Sequence, residues 1–135
     1  MKREVMITID GRQEGDEEAI VVYVPGVYHF TNKVRYVQYK DQESDGGMSI
    51  ENMLRITLEQ VVLTKKGPQT SKMIFNPKEI TQTVYQTPYG ALSLDIQTSL
   101  LEVKEQIDRI EVNLRYSLSE GGRELSKNGL RIRIE

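Results

Sequence analysis

The feature that most constrains this chain is an apolar residue at every second position, renewed in segment after segment. Val5, Ile7 and Ile9 alternate with Glu4, Thr8 and Asp10, and Leu54, Ile56 and Leu58 alternate with Met53, Arg55, Thr57 and Glu59. Leu92, Leu94, Ile96, Thr98 and Leu100 share one face, as do Ile110, Val112, Leu114, Tyr116 and Leu118. Leu130, Ile132 and Ile134 alternate with Arg131, Arg133 and Glu135 at the end. Side chains of a strand point to opposite faces in turn, so each segment reads as a strand with one face to bury. Composition agrees. Val, Ile, Thr, Tyr and Phe make 42 of the 135 residues, whereas Ala, the best helix former, occurs only at Ala19 and Ala91.

Turn signals separate the segments. Gly11 to Asp16 is expected to turn the chain into a strand that starts at Ile20, Val22 and Val24 and reaches Phe30. Pro25-Gly26 should bend or bulge it, because Pro donates no ladder hydrogen bond. Thr31-Asn32-Lys33 predicts a tight turn into Val34 to Lys40, and Asp41 to Gly47 is the longest polar gap. Val61 to Lys65 comes next. Lys66 to Gln69, Asn76-Pro77-Lys78 and Thr87-Pro88-Tyr89-Gly90 then bound strands over Ser71 to Phe75 and Ile80 to Gln86. Glu120-Gly121-Gly122 precedes the last strand, with a bulge expected at Asn128-Gly129. Leu100 to Glu111 also fits a helical template, but period two resumes on both sides and favours strands.

Consecutive strands joined by tight turns predict an all-β domain over residues 1–135. The expected architecture is an antiparallel up-and-down meander of about eight to ten strands closing into a barrel. The charged alternate face argues against an outer-membrane barrel. No apolar run approaches the roughly 18 residues of a spanning helix, and the start lacks a signal-peptide core, so a cytoplasmic location is expected.

The same composition removes whole classes of chemistry. Without Cys there is no disulfide, thiolate nucleophile or cysteine-held metal, and one His cannot build a multi-histidine site. No cofactor and no metal are therefore expected. His29 lies between Tyr28 and Phe30 near a turn, with no nucleophile-elbow motif, and reads as a strand-end imidazole. Asp41, Glu43, Asp45 and Gly46 imitate the opening of a calcium loop, but the clamping twelfth position is Asn52, so the segment reads as a solvated turn. Glu14, Asp16, Glu17 and Glu18 read as a charged hairpin tip. Arg115, Arg131 and Arg133, or Lys65, Lys66 and Lys72, could gather basic patches, yet a net charge of −2 argues against nucleic acid.

One order of residues is more specific. Lys66-Gly67 and Met73-Ile74-Phe75 precede Tyr85-Gln86-Thr87-Pro88-Tyr89-Gly90 and Leu92, and the end reads Ser126-Lys127-Asn128-Gly129-Leu130-Arg131-Ile132. This order resembles the YwiB-like family of bacterial proteins, a domain of unknown function, over Val5 to Ile134. The resemblance implies a calycin-like, lipocalin-like β-barrel in a cytoplasmic bacterial protein, and no catalytic residues. The chain departs from the family pattern at Asp95, where a Gly is common.

The tyrosines are the remaining lead. Tyr combines an apolar ring with a polar tip, which suits the mouth of a barrel that holds a small apolar ligand. The candidate site is Tyr36, Tyr85 and Tyr89 with Arg35 or Arg55 near the mouth. Tyrosines also fill barrel ends without any ligand. The expected inward set is Ile7, Ile9, Val22, Leu54, Ile56, Val84, Leu94, Ile96, Val112, Leu114 and Ile132, with Gln82 and Thr98 as its polar members. The leading expectation is a non-enzymatic module binding a small hydrophobic ligand. The alternatives are a filled barrel that meets a protein partner or a second copy through an outer face or unpaired edge, and a weak nucleic-acid binder.

Overall fold

The structure is a computed structural model that describes residues 2–41, 50–67 and 70–135. The segments expected at 42–49 (the core of the calcium-loop imitation) and the turn residues 68–69 lie outside the described residues. Ten strands are described: β1 Lys2–Gln13, β2 Ile20–Thr31, β3 Val34–Lys40, β4 Glu51–Ile56, β5 Val61–Lys66, β6 Ser71–Phe75, β7 Thr81–Thr87, β8 Gly90–Glu105, β9 Ile110–Glu120 and β10 Arg123–Ile134. No helix occurs among these residues, and the ambiguous stretch after Leu100 is the end of β8, a turn and the start of β9.

All ten belong to one antiparallel sheet in the order β6-β5-β4-β3-β2-β1-β10-β9-β8-β7. The meander therefore closes where its first strand meets its last, with Ile7 opposite Ile134 and Gln13 opposite Asn128. The one interruption is the seam between β6 and β7, which share no ladder among the described residues. Side chains bridge it: Thr81 Oγ1 donates to the Ile74 carbonyl at 2.5 Å, and Tyr85 OH donates to Met73 Sδ at 3.6 Å.

Two hairpins show why the turns fall where they do. Thr31 pairs with Val34 across Asn32 and Lys33, whose φ angles are 51° and 65°. Glu120 pairs with Arg123 across Gly121 and Gly122, at 57° and 84°. Two residues at positive φ give the turn whose twist matches that of the flanking strands. Gly adopts this conformation freely and Asn tolerates it, but Lys33 does not share their tolerance. Lys33→Gly is therefore expected to raise stability by about 1 kcal/mol in urea denaturation, with Lys33→Ala giving no gain.

Several strand-level expectations are corrected. β1 runs past Gly11 to Gln13, so the first turn comes later. Pairing of β1 with β2 passes Pro25 without a shift, Met6 facing Pro25 and Val5 facing Gly26. Ladder pairing to β3 begins only at Gly26, so Pro25 stands where that ladder has already ended. Leu58 sits in the turn after β4 and is exposed. The bulge in β10 lies between Glu124 and Ser126, and Asn128 and Gly129 pair regularly with Tyr116 and Arg115. A second bulge between Thr98 and Leu100 in β8 shifts the strand by one residue, so Leu101 and Val103, rather than Leu100, pack on the core.

Strand β7 is inverted relative to the expectation. Val84 and Gln82 face solvent, and Thr83 is buried. Thr81 and Thr83 lie opposite Ile96 and Leu94, which face inward, and the pleat carries them to the same side. The inward positions form one cluster of buried apolar side chains. Ile7, Leu54, Ile56, Phe75, Ile96, Leu114, Ile132 and Ile134 are each less than 2% exposed.

Candidate functional site

Of the five candidate residues, Tyr36 and Arg55 are brought together and the other three are dispersed. Arg35 points into the barrel from β3, and its side chain is 9% exposed. Its guanidinium Nη2 donates to Glu105 Oε1 at the end of β8, and its Cζ lies 5.0 Å from the ring centre of Phe30. β3 and β8 stand on opposite walls, so this ion pair braces one end of the barrel. Tyr36 and Arg55 are cross-strand partners on the outside. Tyr85 lies at the β6–β7 seam, and Tyr89 is fully exposed at the tip of the β7–β8 turn. A shared period-two face does not bring residues on different strands to one end. That depends on the stagger of the strands around the barrel.

A recess instead lies on the outward side of the sheet. It is a half-open trough of about 1070 Å³ across β1 to β5. Met6, Pro25, Val27 and Met53 supply apolar surface. They alternate along their strands with Val5, Val24 and Leu54, which are buried, so they face away from the core. Glu4, Gln38, Lys40, Glu51, Lys66 and Glu135 surround them. The outer face can become concave because a twisted sheet curves in two senses.

Polar groups converge where β3 and β4 end. Asn52 is 2% exposed, and its Nδ2 donates to Asp41 Oδ1 at 2.9 Å. Lys65 Nζ stands 3.7 Å from Asp41 Oδ2. Asn52 Oδ1 has no hydrogen-bond partner among the described residues. Tyr39, opposite Asn52, also lines the recess. Its phenol is pushed well above the ordinary range by burial, with the Asp41 carboxylate adding to the effect. Burial also raises the phenols of Tyr85 and Tyr116.

These phenols predict an alkaline loss of stability. In the unfolded chain they ionise near pH 10, while in the folded protein they keep their protons to higher pH. The stability they contribute is complete below about pH 10 and falls as the pH rises further. Denaturation midpoints between pH 8 and 11 should show the fall, and Tyr39→Phe should remove part of it.

Sequence patterning had no means of finding the trough. Its exposed lining comes mainly from outward positions on five strands, and such positions look like ordinary solvated faces. Met6, Val27 and Met53 were the only apolar hints among them.

The other candidates are dispersed. His29 is half-buried on β2, with Nδ1 unpartnered among the described residues. Arg131 donates to Asn113 Oδ1 at 3.2 Å, and a smaller recess of about 460 Å³ there mixes Arg12, Arg115 and Arg131 with Asp10 and Glu102. Arg133 lies against Glu111 and Glu135. Among the described residues, no three acidic or histidine side chains gather as a metal site, and no helix is long and apolar enough to cross a membrane.

DUF1934, a domain of unknown function, matches residues 5–132. The chain belongs to the DUF1934 family. The fold agrees: the crystal structure of ywiB protein from Bacillus subtilis superposes with a TM-score of 0.81 at 15% identity, covering 99% of this chain and 92% of that one. No curated protein matches the chain. The resemblance carried by the Tyr85 to Leu92 stretch and the C-terminal strand therefore stands. This DUF1934 domain is an all-β, nearly closed barrel of the ywiB type.

Proposed function

We propose that the protein is a non-enzymatic binding module whose site is the trough outside β1 to β5 rather than the barrel interior. The observation that carries this reading is the contrast between the two places. The inward side chains are buried and mostly aliphatic, and the trough offers open apolar surface with charged groups around it. A recess of this kind suits an amphipathic ligand or chain segment, which sets its apolar groups on the methionines and its polar groups on the rim.

The methionines also provide the test. Met6 and Met53 line the trough, whereas Met73 packs against the core beside the seam. Methyl-labelled methionine, titrated with a fatty acid and with short amphipathic peptides, should shift the resonances of Met6 and Met53 and leave Met73 unchanged. Shifts confined to Met73 would return the site to the interior. No shift with any of these probes would remove the binding reading.

A further inference from the structure

Outward positions on β1 to β4 form a row of hydrogen-bond donors. Lys2 faces His29, His29 faces Tyr36, and Tyr36 faces Arg55 across successive strands. Each alternates with side chains that turn inward: Tyr28 beside His29, Arg35 and Val37 around Tyr36, and Leu54 and Ile56 around Arg55. Neighbouring strands stand about 4.8 Å apart, so a group set over Tyr36 is within reach of both flanking side chains. His29, Tyr36 and Arg55 are half-buried, and among the described residues no ion pair engages Lys2 or Arg55. Nδ1 of His29 is enclosed, which leaves Nε2 as the nitrogen a ligand can meet. The next outward row, about 7 Å along the strands, is Glu4, Val27, Gln38 and Met53, all of which line the trough. Met6 and Pro25 face each other one row further on. The donor row therefore borders the trough directly.

We infer that the trough takes a single-chain amphiphile with a phosphate monoester head. The head sits on Tyr36 between His29 and Arg55, and the chain lies on Val27, Met53, Met6 and Pro25. The inference rests on the trough being the binding site and names its ligand. The sign of the head follows from all the charges on this side of the sheet. Lys2 and Arg55 are the fixed charges of the donor row, and Glu4 is the one charge of the row beside it from β1 to β4. Lys40 faces Glu51 and Glu51 faces Lys66 in the row beyond, so the remaining rim is mixed and stands away from the head. Asp41 is met by Asn52 and Lys65, and Glu135 by Arg133. An imidazole, a phenol and a guanidinium from three strands present separate donors. A phosphate monoester has three terminal oxygens to receive them, and a carboxylate has two.

The probe is dodecyl phosphate below its micellar concentration, titrated against the full chain with labelled methionine methyl groups and a labelled histidine ring. It should shift Met6, Met53 and His29 together. It should bind at least about tenfold more tightly than dodecyl maltoside, which has the same chain and no charge. Dodecanoate should fall between the two. Arg55→Gln and Tyr36→Phe alter outward side chains, and each should weaken dodecyl phosphate by about tenfold. Neither should change the binding of dodecyl maltoside, which also reports that the variants are folded. Equal binding of phosphate and maltoside, or unchanged phosphate binding by Arg55→Gln, with Met6 and Met53 still shifting, would overturn the head site and leave the trough reading intact. Dodecanoate binding as tightly as dodecyl phosphate would overturn the choice of phosphate. Methionine shifts absent with every probe would remove the trough reading and the head site with it. Binding to vesicles that carry phosphatidic acid, with none to the monomeric amphiphile, would make the row a membrane contact and overturn the proposal.

Discussion

Replacing Phe75 with alanine is expected to cost about 4 kcal/mol, because it removes a large, fully buried ring from the least supported strand. Phe75 is 1% exposed, and its ring centre lies 4.8 Å from that of Tyr116, tilted by 57°. The position matters as much as the volume. β6 is laddered only to β5, where Phe75 faces Val61, and no ladder joins β6 to β7 among the described residues. Phe75 therefore does through packing what hydrogen bonds do at the other joints of the barrel. Urea denaturation should give the loss, and hydrogen exchange should show β6 and β7 losing protection before β1 or β10. Phe75→Leu keeps most of the apolar surface and should cost markedly less. A loss below about 1 kcal/mol for Phe75→Ala would mean that the seam collapses to refill the space.

Gly26→Ala is the second large effect, and its sign runs against intuition. Adding a methyl group to a strand glycine normally helps, since glycine weakens strands through entropy. At Gly26 the added carbon would lie 2.5 Å from Ile7 Cδ1 and 2.7 Å from the Gln38 carbonyl oxygen. The isoleucine tip can rotate away, but the carbonyl belongs to the β2–β3 ladder and cannot move without opening it. The expected cost is about 3 kcal/mol, within the upper range for overpacked cores. Gly129→Ala is the control. Its added carbon would meet nothing nearer than the Leu114 carbonyl oxygen at 4.0 Å, so the change should be neutral or stabilising. Thermal denaturation of the two variants should separate them clearly, and equal behaviour would contradict the packing described around Gly26. The same crowding explains Pro25-Gly26. Without a Cβ, Gly26 lets β1, β2 and β3 approach closely where the β3 ladder starts.

Much of this architecture is legible in the residues. The alternation at Val5 to Ile9, Leu54 to Ile56 and Ile110 to Leu118 marks strands because only a two-residue period hides one face of a sheet. Asn32 and Gly121-Gly122 mark hairpins because Asn and Gly accept positive φ. The candidate site was much less legible. Arg35 looks like a rim residue on its strand, yet it is enclosed and matched to Glu105, which lies seventy positions away in the chain. The trough gathers residues from five strands, none of which marks it alone.

The sequence by itself determined that the chain makes a strand-and-turn protein, which strands are amphipathic, and which thiol and multi-histidine chemistries it lacks. Those are local properties, set by side-chain period, turn residues and composition. The tertiary structure alone decided four further matters. Thr83 rather than Val84 faces the core, and the bulges lie at Thr98 to Leu100 and Glu124 to Ser126. The ring closes through β1 and β10, and the open recess is outside the barrel. The physical reason is that alternation defines two faces without saying which one is buried when both are of mixed polarity. Register, bulges and stagger come from all strands fitting around one core at once, and no single segment carries that constraint.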